Sequence, residues 1–164
     1  LHSTNARRAL ADTVAFDDAI KAALAKVDLT NTLVVVTADH DHTIVMNGYA
    51  QRTGATSATN AGVLGLVKDV VSGSIVNDIL GFGYSILGCG NGENRPANRS
   101  GLTDVATSDL NYHQEAVVPM SVGGETHGGT DVFIAATGAG AEQVAGVMEN
   151  TAVFAILKQA LGLK

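Results

Sequence analysis

The spacing of apolar and polar positions predicts a helix and then a strand near the start of the chain. Within 11–27, apolar side chains recur at helical spacing and share one face: Phe16, Ile20, Ala23, Leu24 and Val27. After a short polar turn, residues 32–37 are β-branched or apolar on both faces. Such a run is typical of a central strand that is covered on both sides in a parallel sheet.

The later part of the chain predicts more strands and a closing helix. Residues 61–80 predict a short strand and a helix, and residues 83–101 predict a strand that leads into a polar excursion. Two further strands are predicted at 117–120 and 131–136, and a helix at 151–162 has Phe154, Leu157 and Leu161 on one face. Together these elements indicate one layered α/β structure, or part of one.

Composition and charge narrow the classes of partner. The chain has 164 residues, of which 46% are hydrophobic and 16% charged, and its net charge is −6. It has no cluster of basic residues beyond Arg7-Arg8, so nucleic acid is not expected as a specific partner. Charges at Lys68, Asp69 and Asp78 interrupt the most apolar stretch, so no membrane span is expected.

The predicted strand at 32–37 leads directly into the titratable residues Asp39, His40, Asp41 and His42. A carboxylate and an imidazole at a strand end are ligands that suit zinc, and ligands bind at strand ends in open α/β sheets. Asp39 is equally consistent with a capping residue that a surface His40 follows. Local spacing leaves both interpretations open.

The other histidines differ in their surroundings. His127 lies among glycines in GGETHGG, which suits either a rigidly held ligand or a surface turn. His2 is either a ligand or part of a frayed terminus, and His113 has no partner near it in sequence and is taken as structural. Asp41 is taken as a solvated or pairing carboxylate. His42 lies two residues beyond His40, which suits a side chain that supports a ligand.

Several stretches resemble the C-terminal part of alkaline phosphatases, and they cover nearly the whole chain. The most specific are TLVVVTADHDHTI at 32–44 and the run from VPMSVGGETHGGTDV to VMENT at 118–151. The opening, LHSTNARRALADTVAFDDAI, is similar to the helix that follows an Asp-x-x-x-His metal motif in that family. VLGLV at 63–67 and YSILGCGNG at 84–92 add to the resemblance.

The resemblance implies a three-layer α/β/α sandwich around a central, mostly parallel sheet. Residues 1–164 are then expected to be the C-terminal portion of an alkaline phosphatase-like domain, so that only that part of the fold is present. Residues 84–112 are expected to form a variable, loop-rich excursion. The family also implies a homodimer that is periplasmic or secreted.

The resemblance further implies two zinc ions and one magnesium ion beside a serine nucleophile. Asp39 and His40 match the ligands of the zinc that activates the serine, and His2 and His127 match ligands of the other zinc. His42 matches a histidine that supports the ligands. The implied reaction is hydrolysis of phosphate monoesters to inorganic phosphate through a phosphoserine.

The chain contains none of the family's serine nucleophile motif, so no catalytic residue is assigned in it. The serine and the magnesium ligands are expected upstream, and residues 1–164 alone are expected to be inactive. Two alternatives remain open at this point. In the first, the protein is another hydrolase or a phosphomutase of the alkaline phosphatase superfamily. In the second, it is a non-catalytic metal-binding fragment.

Overall fold

The structure, a computed structural model, describes residues 1–50, 57 and 60–163. It contains two compact units, which are described separately. Unit one comprises Leu1–Val14 and His42–Gly129, and unit two comprises Ala15–Asp41 and Thr130–Lys164. The chain contains helices and several short strands in small sheets, one of which has a parallel pair, and this agrees with the predicted α/β class. In chain order, the helices and strands are α1 (Ala6–Leu24), β1 (Leu33–Thr37), β2 (Asp41–His42), β3 (Ile44–Met46), β4 (Leu87–Gly92), α2 (Asp104–Thr107), β5 (Ala116–Pro119), β6 (His127–Gly128), β7 (Ile134–Gly138) and α3 (Ala152–Ala160).

A three-stranded sheet in the order β3-β4-β5 organises unit one. β3 runs antiparallel to β4, with Ile44 opposite Cys89. β4 runs parallel to β5, with Cys89 opposite Ala116. The predicted strand in the YSILGCGNG stretch is therefore present as β4. In the buried core of unit one, Ala6, Leu64 and Leu87 pack together.

The excursion between β4 and β5 is held by an ion-pair network rather than by regular structure. Its helix α2 has one turn, and Thr103 caps it by accepting a hydrogen bond from the Ala106 N–H. Arg99 pairs with Asp78 and, at 2.7 Å, with Glu115. These two carboxylates raise the pKa of the Arg99 guanidinium, with Glu115 the stronger cause. The two pairs tie the excursion to the segments before β4 and before β5.

The prediction of a helix within residues 61–80 is wrong. A single 3-10 turn, Gly62–Leu64, is followed by extended segments that meet at isolated bridges, such as Leu66 with Ser85 and Lys68 with Ile75. Asp69 accepts hydrogen bonds from the N–H groups of Val71 and Ser72, which closes a turn. Asp side chains compete with helical hydrogen bonds in this way, so the apolar run folds as hairpin-like turns.

In unit two, β1 confirms the predicted strand, but its direction of pairing was predicted wrongly. β1 runs antiparallel to β7, with Leu33 opposite Gly138 and Thr37 opposite Ile134. An apolar pattern on both faces predicts coverage of both faces and carries no information on the partner's direction, and Leu33–Val36 are half-buried here. A Cβ on Gly138, whose φ is +92°, would clash with the Thr32 carbonyl oxygen, so glycine is required where this pair begins.

Both long helices are present, with shifted ends and exposed apolar faces. Helix α1 begins at Ala6, before the predicted start, because the Asn5 side chain accepts a hydrogen bond from the Arg8 N–H and caps the helix. On its predicted apolar face Phe16 is 53% exposed, and on α3 Phe154 is 72% exposed. Ile156 is the buried residue of α3. The spacing predicted these helices correctly but not which side chains are covered here.

Candidate metal centre

The N-terminal segment that carries His2 is held against unit one by a tight turn. The Thr4 N–H donates to the Leu1 carbonyl at 2.6 Å, and the Thr4 carbonyl accepts from the Gln114 N–H at 2.9 Å. Thr4 is fully buried and has φ +57°, a conformation that is rare for a β-branched residue. A Cβ on Gly92 would clash with the Thr4 side chain, so the absence of one there leaves room for this turn.

His113 anchors the same segment. Its Nδ1 lies 2.5 Å from the Ser3 carbonyl oxygen and 2.9 Å from the Glu93 carboxylate. The sequence analysis found no neighbouring partner for His113, because both partners are distant along the chain. Its role is structural, as predicted, and it fixes the residue that follows His2.

Three imidazoles lie together in unit one. The ring centroids are 4.7 Å apart for His2 and His42, 5.2 Å apart for His2 and His127, and 6.0 Å apart for His42 and His127. His42 comes from β2 and His127 from β6, and His2 comes from the N-terminal turn. Residues separated by more than a hundred positions thus form one group, which we call the imidazole group (His2, His42 and His127).

A buried carboxylate lies beside the imidazole group. The Glu125 side chain has no exposed surface, and its Oε2 lies 3.4 Å from His42 Nδ1. Its Oε1 accepts hydrogen bonds from the Thr43 N–H at 3.1 Å and from the Thr43 hydroxyl at 2.7 Å. Glu125 stands in the ETH sequence that the resemblance quoted, but the sequence analysis did not single it out. A carboxylate two residues before a candidate ligand in a glycine-rich turn was the available signal.

Asp39 and His40 follow the end of β1 in unit two. Asp39 Oδ1 accepts a hydrogen bond from the His40 N–H at 3.1 Å, and Asp39 Oδ2 lies 3.4 Å from His40 Nε2. His40 Nδ1 lies 3.0 Å from the Asp41 carbonyl oxygen. The Asp41 carboxylate accepts a hydrogen bond from the Thr130 hydroxyl, which agrees with its predicted pairing role.

Cys89 is buried in unit one, and its thiol stays neutral at neutral pH. It is 1% exposed, and burial raises the pKa of its thiol to about 12, with the charge of Glu125 as a second cause. Because the thiolate is the reactive form of cysteine, Cys89 is expected to react slowly at neutral pH.

The donor set of the imidazole group suits zinc. Zinc–nitrogen bonds are about 2.0–2.1 Å long, so two imidazoles on one tetrahedral ion have ring centroids about 5 Å apart. The separation of His2 and His127, 5.2 Å, meets this requirement. Metal-binding histidines are also commonly held by a carboxylate or a carbonyl, and Glu125 supplies both here. The residues present therefore fit a zinc ion.

Comparison with known proteins agrees with this chemistry. The family model described as alkaline phosphatase matches residues 1–163. The chain belongs to the alkaline phosphatase family. The resemblance inferred from TADHDH and GGETHGG is thereby confirmed over almost the full chain.

Relatives in the alkaline phosphatase family come from insects and mammals. The chain is 33% identical to alkaline phosphatase 4 of Drosophila melanogaster over 91% of its own length and 25% of that protein. It is 31% identical to a membrane-bound alkaline phosphatase of Bombyx mori, over 93% of this chain and 26% of that protein. It is 32% identical to the tissue-nonspecific isozyme of Felis catus, over 91% and 26%. The chain thus spans about a quarter of the length of these relatives.

A helix that crosses a bilayer needs about 20 predominantly apolar residues. In the part of the chain that the structure describes, none is both long enough and apolar enough to cross a bilayer.

Proposed function

We propose that the whole protein hydrolyses phosphate monoesters and that this chain supplies zinc-binding side chains for the reaction. The observation that carries the proposal is the imidazole group in a chain of the alkaline phosphatase family. Three imidazoles beside a buried carboxylate are an arrangement that a purely structural group does not need. The family membership connects that arrangement to phosphoric ester chemistry.

His2 and His127 are proposed to hold one zinc ion. Their ring separation of 5.2 Å supports this pairing, since it matches two imidazoles on one tetrahedral ion. His42 is proposed to support these ligands, as the resemblance implies, and Glu125 holds the Nδ1 side of its ring.

Asp39 and His40 are proposed to hold a second zinc ion. Two donor atoms bound to one tetrahedral zinc lie about 3.4 Å apart. Asp39 Oδ2 and His40 Nε2 have that separation, 3.4 Å. This separation supports a second zinc ion held by Asp39 and His40.

Zinc ions at these positions would supply positive charge that activates a nucleophile and stabilises the phosphate oxygens. The chain itself has a net charge of −6, which repels phosphate esters at long range, so local cations are needed. The chain's own residues hold and orient these cations. The nucleophilic serine and the ligands of one magnesium ion are proposed to come from other parts of the whole protein, which we also propose is a secreted or periplasmic homodimer.

Turnover of two chromogenic esters tests the proposed function. The whole protein, purified with zinc and magnesium, is expected to hydrolyse p-nitrophenyl phosphate much faster than p-nitrophenyl sulfate. Removal of metal with a chelator should abolish the activity, and added zinc should restore it. Faster turnover of the sulfate would indicate another hydrolase of the superfamily. Zinc binding without turnover of either ester would indicate a non-catalytic metal-binding protein.

A further inference from the structure

Burial of the Glu125 carboxylate costs free energy of solvation, which contacts in its surroundings must offset. Its side chain is fully covered, although carboxylates are seldom buried unless they are paired or hydrogen-bonded. Both oxygens have neighbours in unit one, and they face different residues. The two oxygens can therefore be considered separately.

Oε1 fixes the backbone next to His42. It accepts hydrogen bonds from the N–H and from the hydroxyl of Thr43, at 3.1 Å and 2.7 Å. These two bonds alone would explain a structural role, because they fasten the start of β3 to the turn before β6. They leave Oε2 unexplained.

Oε2 faces the His42 ring, at 3.4 Å from Nδ1. A carboxylate at this nitrogen restrains the rotation of the imidazole, whose ring centroid lies 4.7 Å from that of His2 and 6.0 Å from that of His127. The contact therefore links Glu125 to the imidazole group itself.

The backbone of Glu125 holds a second member of the group. Its N–H donates to the His2 carbonyl at 3.3 Å, and its carbonyl oxygen lies 3.4 Å from His2 Nδ1. Glu125 also precedes His127 by two residues. One residue thus touches two imidazoles of the group and is covalently close to the third.

We propose that Glu125 is a positioning residue that sets the imidazole group in place for zinc, with its carboxylate on His42 and its backbone on His2. The inference rests on the proposed function, since it assigns the group to zinc. It adds a residue to which the resemblance gave no role. Ligands that are held in advance lose less conformational freedom on binding, so the zinc affinity should depend on Glu125.

A double-mutant cycle in the whole protein tests this role. Glu125→Gln keeps the size of the side chain and an acceptor for Thr43 but replaces the charged oxygen at His42. We expect a loss of about 10–100-fold in zinc affinity, measured by competition with a chromogenic chelator, and a similar loss in kcat/KM. In the His42→Ala background the same substitution should have little further effect, because Glu125 then has no ring to orient.

Two further variants complete the design. Glu149→Gln makes the same chemical change at an exposed position and should match the wild type. Glu125→Asp keeps the carboxylate but shortens the side chain, so it should lower the zinc affinity while circular dichroism shows that the variant is folded. If Glu125→Gln fails to fold, the zinc affinity of Glu125→Asp tests the positioning role instead. Zinc affinity like that of the wild type in Glu125→Asp overturns the proposal.

The remaining outcomes separate this inference from the proposed function. An effect of Glu125→Gln that is equally large with and without His42 contradicts the positioning role and indicates the structural role at Thr43. Coupling in zinc affinity without phosphate ester turnover by the wild type supports the positioning role and contradicts the proposed function. Ester turnover by the wild type without any coupling supports the proposed function and contradicts the positioning role.

Discussion

At the scale of single residues, two titratable side chains lie buried in unit one. The Glu125 carboxylate accepts hydrogen bonds from Thr43 and faces the His42 ring. For Cys89, burial raises the pKa of the thiol to about 12. The sequence indicated neither the contacts of Glu125 nor the burial of Cys89, because both depend on residues that are distant along the chain.

The raised pKa of Cys89 predicts low thiol reactivity and a pH-dependent stability. In the unfolded chain the thiol ionises near its ordinary pKa of 9.0, whereas in the folded chain it stays protonated up to about 12. The neutral thiol therefore stabilises the fold fully below pH 9, and this contribution is lost as the pH rises toward 12. Iodoacetamide at pH 9 should alkylate the denatured protein rapidly and the native protein slowly. Equal rates would show that Cys89 is accessible and ionised in the fold.

Two histidine substitutions rank the members of the imidazole group. His127→Ala in the whole protein should remove a ligand of the zinc that it shares with His2 and lower kcat/KM by more than about 100-fold, beyond the range typical of supporting residues. His42→Ala should be milder, because it loosens a ligand's surroundings and removes no ligand. Both are measured at saturating zinc. Equal damage by the two variants would make His42 a direct ligand or a catalytic acid or base.

At the scale of elements, side-chain caps and turns determine helix boundaries that the apolar pattern did not predict. The spacing predicted α1, α3 and β1 in place, with ends displaced by a few residues. It missed the start of α1 because the Asn5 cap precedes the first periodic apolar residue. It predicted a helix in 61–80 because the apolar spacing there outweighed the turn-forming Asp69 and Asp78, whose carboxylates accept backbone N–H groups.

The Asn5 cap predicts a measurable contribution to stability. The Asn5 side chain accepts from the Arg8 N–H and donates to the Leu110 carbonyl at 2.6 Å. Asn5→Ala should lower the free energy of unfolding by about 1–2 kcal/mol, since loss of a cap costs about 1 kcal/mol and the second bond adds to it. Urea unfolding followed by circular dichroism measures the change. Asn98→Ala, at an exposed position, is the matched control, and an equal effect of both variants would argue against the cap.

At the scale of the whole molecule, motifs predicted the family and part of the site. TADHDH, GGETHGG and the match of the opening to an Asp-x-x-x-His motif led to His42, His127 and His2, which lie together in unit one. The same motifs led to Asp39 and His40, whose ligand role stays a prediction. The antiparallel pairing of β1 with β7 was not predictable, because an apolar run records coverage and not direction.

Much apolar surface of this chain is exposed in the structure. Side chains such as Ile79, Val147 and Phe154 are more than two thirds exposed. The chain spans about a quarter of the length of its relatives in the alkaline phosphatase family. Its packing in unit one nevertheless brings the imidazole group together from the N-terminal turn, β2 and β6.

The central claim is that His2 and His127 bind one zinc ion, and diffraction from crystals of the whole protein at the zinc absorption edge tests it most directly. An anomalous difference map locates zinc without reference to activity. The account predicts a zinc peak within about 2.0–2.1 Å of an imidazole nitrogen of each residue, and a second peak beside Asp39 and His40. Zinc peaks that contact neither His2 nor His127 in a catalytically active crystal would contradict it.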